Sequence, residues 1–214
     1  MTFDKFVLNQ YLRGYGVRMA ESVLVRRDQV QQLNKKQVID TIGMPCFVKP
    51  ANDGSSFGVS KVNKPDQLAA ALRVAMMESD EVMIEQFLEG TEITVGCYKT
   101  KEKSVVFPVT EVVTKNEFFD YDAKYNGQVE EITPARIPEE QDQRAQQLTS
   151  AIYDILHCNG IIRIDYIISP KGDISMLEIN TTPGMTATSF IPQQVRAAGL
   201  SMTDVLTDII ENQF

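Results

Sequence analysis

Apolar positions along the chain switch between helical and alternating spacing, and the switches mark its elements. Phe3, Phe6, Val7 and Tyr11 share one helical face, which predicts a helix from a Thr2 cap to about Leu12, stopped at Gly14. Residues 22–25 read as a short strand and 28–42 as one amphipathic helix closed by Gly43. Residues 46–49 form a β-rich run stopped by Pro50, with further runs at 59–62 and 82–86. Between the last two, residues 65–78 predict a helix with proline at its start. Strand patterns dominate from Ile93, over 93–99 and then 105–113. Residues 118–134 are polar and aromatic with weak periodicity, which predicts a long loop with strand pieces, a kind of segment that is often functional. A helix over 139–156, strands over 161–168 and 174–180, and helices over 191–198 and 201–212 complete the pattern. This order predicts an α+β protein of two lobes, residues 1–89 and 90–214.

Composition narrows the function classes. Hydrophobic residues make up 43% of the 214, enough to bury a core. The net charge of −8 argues against a nucleic-acid surface, which needs clustered lysine and arginine. It leaves room for a small anionic ligand, which a few local lysines can hold. No apolar run approaches the roughly 18 residues of a membrane span, and the opening MTFDKFVLNQ has no apolar signal core. Cys46, Cys97 and Cys158 lack metal-site spacing and read as reduced structural thiols, which predicts a cytoplasmic protein. A histidine-dependent triad would have to use His157, the one histidine, whose place at an apparent helix end suits a structural role better.

The densest chemistry lies in IIRIDYIISPKGDISMLEIN, residues 161–180. SPKGD is a turn between two β-rich runs, and a hairpin centred between Lys171 and Gly172 sets Asp165 opposite Glu178 and Arg163 opposite Asn180. The same register sets Ile164 opposite Ile179 and Tyr166 opposite Leu177, so one face is polar and the other apolar. Directly opposed Cβ atoms lie about 4.5–5.5 Å apart, and two carboxylates at that range repel unless a cation lies between them. Asp165, Glu178 and the Asn180 carbonyl are hard oxygen donors suited to magnesium, and Arg163 could hold a phosphate or a developing oxyanion. The alternative is a solvated face with Arg163 paired to a carboxylate.

Other segments could contact phosphate or substrate. In VKPANDGSSFG, residues 48–58, Gly54 and Gly58 permit tight turns, the amides of 54–57 could cradle phosphate, and Lys49 adds a point charge. The segment lacks the GK[ST] of a P-loop, and a plain connection is the competing reading. Residues 82–95 place Glu85 at a strand end and Glu92 seven residues on, where a nucleotide base and ribose could be held; an exposed acidic linker would look the same. FFDYDAKYNG, residues 118–127, offers Lys124 for a phosphate and Tyr125 for a substrate, or only an anchor and a surface lysine. NTTPGMTATSF, residues 180–190, offers amides and hydroxyls to a small carboxylate, or is a polar connector.

Taken in order, FDK at 3–5, VKPANDGSSFGVSKV at 48–62, IEQFLEGTEITV at 84–95, YDAKY at 121–125, RID at 163–165 and LEINTTPGMTATS at 177–189 resemble the ATP-grasp superfamily, and within it the D-alanine–D-alanine ligases. The resemblance implies an ATP-grasp fold, two α+β lobes with ATP bound between them. It implies that Lys5 and Lys49 bind ATP phosphates, that Glu85, Gln86 and Leu88 frame the adenine with Phe118 packing on it, and that Glu92 holds the ribose. Lys124 would reach the γ-phosphate, and Asp165, Glu178 and Asn180 would hold two magnesium ions, for which manganese could substitute. Arg163 with the Gly184 amide would stabilise a tetrahedral oxyanion, Ser55 and Tyr125 would position substrate, and Ser189 with Phe190 would contact the second D-alanine.

The implied reaction makes the dipeptide of peptidoglycan in two steps. One D-alanine carboxylate attacks the γ-phosphate to give an acyl phosphate, and the amine of a second D-alanine displaces phosphate. Such chemistry needs positioning and charge neutralisation rather than a histidine or cysteine nucleophile. Members of that family are expected to be homodimers when full length and carry a further domain before the FDK helix. On the resemblance, this chain is expected to be the ATP-grasp portion only, binding ATP weakly and turning over poorly by itself. Phe190 departs from the leucine common at its position, and Tyr125 goes with a dipeptide rather than a D-alanyl-D-lactate product. The competing readings are a nucleotide-binding fragment without activity and an ATP-grasp ligase for another carboxylate and amine.

Overall fold

The computed structural model describes residues 1–52, 57–114 and 129–214. Their contacts divide the chain into two compact units, Met1–Leu88 and the residues from Glu89 onward. Each is built on its own antiparallel sheet.

In the first unit the strands β1 (Ser22–Arg26), β2 (Cys46–Pro50), β3 (Ser60–Val62) and β4 (Glu81–Gln86) run in the order β1-β4-β2-β3. Alternation along β2 does the sorting. Cys46 and Val48 enter a core with Val25, Val62 and Ile84, while Phe47 and Lys49 point to the other face. Helices α2 (Lys35–Ile42) and α3 (Leu68–Glu78) seal that core with Val38, Ile42, Leu68, Leu72 and Ala75. Helix α1 (Lys5–Arg13) starts two residues later than its apolar spacing predicted. Asp4, not Thr2, is the cap, its carboxylate accepting from Val7 N at 2.9 Å. The buried face is Leu8, Asn9 and Leu12, and Phe3 and Val7 are exposed. Asn9 is tolerated there because its amide donates to Ala20 O at 2.9 Å.

Two expected continuous elements are broken, each by a nameable group. Residues 28–42 form a 3₁₀ stretch, Arg27–Gln32, and then α2, because Asn34 caps α2 by accepting from Gln37 N at 3.1 Å. The expected strand over 105–113 is two, β6 (Ser104–Val106) and β7 (Thr110–Thr114). Both pair with β5 (Thr91–Lys99), and Pro108, which has no N–H to donate, lies where the register slips between them.

The second unit's sheet runs β10-β9-β5-β7-β8, with β6 also on β5; β8 is Val129–Ile132, β9 Ile161–Ile168 and β10 Ile174–Asn180. Helix α4 (Glu139–Ile155) covers one face, where the Thr149 hydroxyl meets the buried Tyr166 hydroxyl at 2.7 Å. Helices α5 (Phe190–Ala197) and α6 (Met202–Glu211) cover part of the other, burying Ile191, Val195 and Val205 against Tyr98 and Phe107. The polar face of the hairpin lies on this second side.

The hairpin reaches its expected polar register by an unexpected route. The turn holds five residues, Ser169 to Asp173, with Ser169 N donating to Asp173 O at 2.9 Å and Gly172 at φ 84°. That odd loop pairs Ile168 with Ile174 and Tyr166 with Met176, so Tyr166 does not face Leu177. A bulge between Met176 and Glu178 then shifts the ladder by one residue, restoring Asp165 opposite Glu178 and Arg163 opposite Asn180.

Candidate active site

Asp165 is the most buried of the candidate metal-binding side chains, 8% exposed at the centre of the sheet. Arg163 grips it from the same strand with both arms of its fork, Nε to Oδ1 and Nη2 to Oδ2, each at 2.9 Å. From β5, the Thr94 hydroxyl donates to Oδ1 at 2.5 Å. Glu178 and Asn180 stand opposite on β10, partly buried. Burial works against the Arg163 charge, but Asp165, Glu178 and Glu131 outweigh it and hold its pKa above the usual arginine range. The guanidinium also lies over the Phe190 ring, 4.9 Å from its centroid.

A buried glutamine locks this arrangement to α5. Gln194 is fully buried; its oxygen accepts from Gly96 N at 2.9 Å, and its nitrogen donates to Thr94 O at 2.9 Å and Thr110 Oγ1 at 3.0 Å. Gly96 is required for so close an approach, since a Cβ there would sit 2.5 Å from Ile191 and 2.7 Å from the Gln194 oxygen. Its neighbour Gln193 reaches the other way, donating to Glu131 on β8 and to Thr188 O at 2.8 Å. Burial raises the Glu131 pKa, against the Gln193 hydrogen bond and the Arg163 charge. Sequence reading missed Thr94, Glu131, Gln193 and Gln194. The one signal for them was two adjacent amides in an otherwise amphipathic helix.

Gly184 and Ser189 are brought together: a Cβ on Gly184 would lie 2.9 Å from Ser189 Oγ. Ser189 immediately precedes α5, and its hydroxyl is 2.8 Å from that of Thr186. Glu92, partly buried, lies on the Asp165 side of β5, two residues before Thr94. His157, past the end of α4, is exposed at φ 49°.

In the first unit, Lys49 forms an ion pair with Glu85, which is 4% exposed on the neighbouring strand. Lys5 begins α1, and its N–H donates to Ala51 O at 2.9 Å, which ties that helix start to the end of β2. Gln86 is exposed, and Leu88 is partly buried. Lys61 lies over the Phe87 ring at 4.6 Å, and Phe47 packs against the same ring at 6.0 Å. Ser55, Phe118, Lys124 and Tyr125 lie outside the described residues.

A family profile described as D-ala D-ala ligase C-terminus matches residues 11–211. The chain belongs to this family. It is 66% identical over 214 residues to a D-alanine–D-alanine ligase of Bacteroides fragilis, covering 100% of this chain and 65% of that one. Its fold matches the VanG D-Ala:D-Ser ligase of Enterococcus faecalis with a TM-score of 0.88 at 31% identity, over 100% of this chain and 62% of the other. It also matches a Bacillus anthracis D-alanine–D-alanine ligase complexed with ATP, with a TM-score of 0.81 at 28% identity, over 99% and 65% of the two chains. The chain therefore has the α+β, ATP-grasp fold of the D-ala D-ala ligase family, and it spans about 65% of the length of the curated relatives it matches. Among the described residues no helix is long and apolar enough to cross a membrane.

Whether the family's metal fits can be tested on the donor set. Among the described residues no three His, Cys, Asp or Glu side chains form a metal-binding group. What is present is two directly opposed carboxylates, Asp165 and Glu178, with the Asn180 amide beside them. These are oxygen donors of the kind a hard divalent cation takes, with water or phosphate completing its shell. A cation there would have to share or displace the hold of Arg163 on Asp165.

Proposed function

We propose that the protein carrying this chain joins two D-alanines into D-alanyl-D-alanine at the expense of ATP, through an acyl phosphate, for peptidoglycan synthesis. The observation that carries the reading is the polar face on which Asp165, Glu178, Asn180 and Arg163 converge, in a chain 66% identical to a D-alanine–D-alanine ligase. Asp165, Glu178 and Asn180 would hold two magnesium ions, which neutralise charge on the transferring phosphoryl group when bound. Lys5, Lys49 and Lys124 bind the ATP phosphates, Glu85, Gln86, Leu88 and Phe118 the adenine, and Glu92 the ribose. Lys49 comes to phosphate from its pair with Glu85, so the nucleotide exchanges one anionic partner for another. Arg163, released in part from Asp165, faces the tetrahedral oxyanion with the Gly184 amide. Ser55 and Tyr125 position substrate, and Ser189 with Phe190 holds the second D-alanine. The full protein works as a homodimer in the cytoplasm, with a further N-terminal domain completing the first D-alanine site.

The test is phosphate release. The chain is completed with the part of the Bacteroides fragilis relative that it does not cover, and given ATP, magnesium and D-alanine. Release should depend on D-alanine and not appear with L-alanine. ATP hydrolysis indifferent to D-alanine would sink the assignment.

A further inference from the structure

Glu131 is a carboxylate that neither the sheet nor the proposed metal site uses. It lies opposite Val112, which lies opposite Glu92, so it shares the face that carries Asp165 and Thr94. It is partly buried, and its charge is felt at Arg163. Gln193 donates to its Oε2, and among the described residues no other donor reaches it. The same Gln193 amide donates to Thr188 O at 2.8 Å, and Gln193 N to Ser189 O at 3.3 Å. Glu131 is thereby the one carboxylate, among the described residues, hydrogen-bonded to α5, and it is held beside the segment that opens that helix.

We propose that Glu131 takes the ammonium group of the acceptor amino acid and so selects an amine over a hydroxy-acid acceptor. This role presupposes the ligase reaction with Ser189 and Phe190 at the acceptor. A carboxylate at the start of α5 meets that helix's free N–H groups. The ammonium of the same α-amino acid is two bonds away from the carboxylate carbon and needs an anion of its own. Asp165 is already gripped by Arg163, whereas Glu131 has an oxygen that no described residue donates to. An ammonium gains a charge-assisted hydrogen bond from a partly desolvated carboxylate, and the hydroxyl of D-lactate gains only a weaker one.

The completed protein is given ATP, magnesium, D-alanine and enough D-lactate to yield measurable D-alanyl-D-lactate, and mass spectrometry reads the ratio of dipeptide to depsipeptide. Glu131→Gln keeps the shape and removes the charge, so the ratio should fall about tenfold, equivalent to about 1.4 kcal/mol. A damaged fold would lower both products alike; an unchanged ratio, at whatever total rate, overturns the proposal. Should Glu131→Gln not fold, Gln193→Met frees Glu131 from α5 without altering its charge. A smaller fall is then expected, and an unchanged ratio again overturns the role. Phosphate release that ignores D-alanine in the natural sequence would instead overturn the ligase reading itself, and this role with it.

Discussion

Each sheet carries an ion pair on the side where alternation puts its polar residues, and the two pairs are built on opposite plans. Lys49 and Glu85, with side chains 15% and 5% exposed, cross between β2 and β4 as one charge of each sign. Arg163 and Asp165, 14% and 11% exposed, sit two residues apart on β9, and Glu178 and Glu131 add their charges around the same guanidinium. Burial is the same in both; charge balance is not. A balanced buried pair offsets its own desolvation and can be purely structural. Among the described residues the pair on β9 is surrounded by more carboxylates than cations, a surplus that the proposed divalent cation would offset.

The comparison is broken most directly by removing the surplus. Glu178→Gln should lower turnover of the completed protein by at least about a thousandfold with the melting temperature nearly unchanged, and Asp165→Asn should lower turnover as much while also costing stability, because it removes the carboxylate that Arg163 grips. Full activity in either variant would mean that these oxygens hold no metal. In the first unit the expected damage is to stability as well as to the proposed nucleotide binding. Lys49→Met leaves Glu85 buried without its counter-charge and should cost about 3 kcal/mol in urea unfolding, most of it recovered by adding Glu85→Leu. Equal costs for the single and double variants would show that the pair is not balanced after all.

The smallest effect separates the units by their thiols. Burial pushes Cys46, in the first unit, up to about 11 and Cys97, in the second, up to about 12, so neither is thiolate near neutral pH. Each raised pKa favours the folded state below the thiol's ordinary value and gives up that contribution as pH rises through the raised one. With a thiol reagent at near-neutral pH, Lys49→Met should expose Cys46 to labelling before Cys97. Simultaneous labelling would mean that the two units unfold together.

What could be read from sequence was local. Period-two alternation put Arg163 and Asp165 on one face of β9. The hairpin register came out right at Asp165 and Glu178 because a five-residue turn and a bulge at Leu177 compensate; at Tyr166, where only the turn acts, it came out wrong. The α1 face was misread because Phe3 and Val7 obey helical spacing as well as Leu8 and Leu12 do, and only the packing partner chooses between them.

The sequence by itself determined most of the strands, the polar and apolar sides of the hairpin, and the family stretches that mark this chain as a D-ala D-ala ligase C-terminal region. Tertiary structure alone decided that Arg163 grips Asp165, that Thr94 and Gln194 hold that carboxylate in place, and that Glu131 joins them through Gln193. The physical reason is sequence distance. A hairpin pairs neighbours, and its register follows from turn and alternation. The order β10-β9-β5-β7-β8 joins strands far apart in the chain, and with α5 docked upon it brings together polar groups that no local pattern relates.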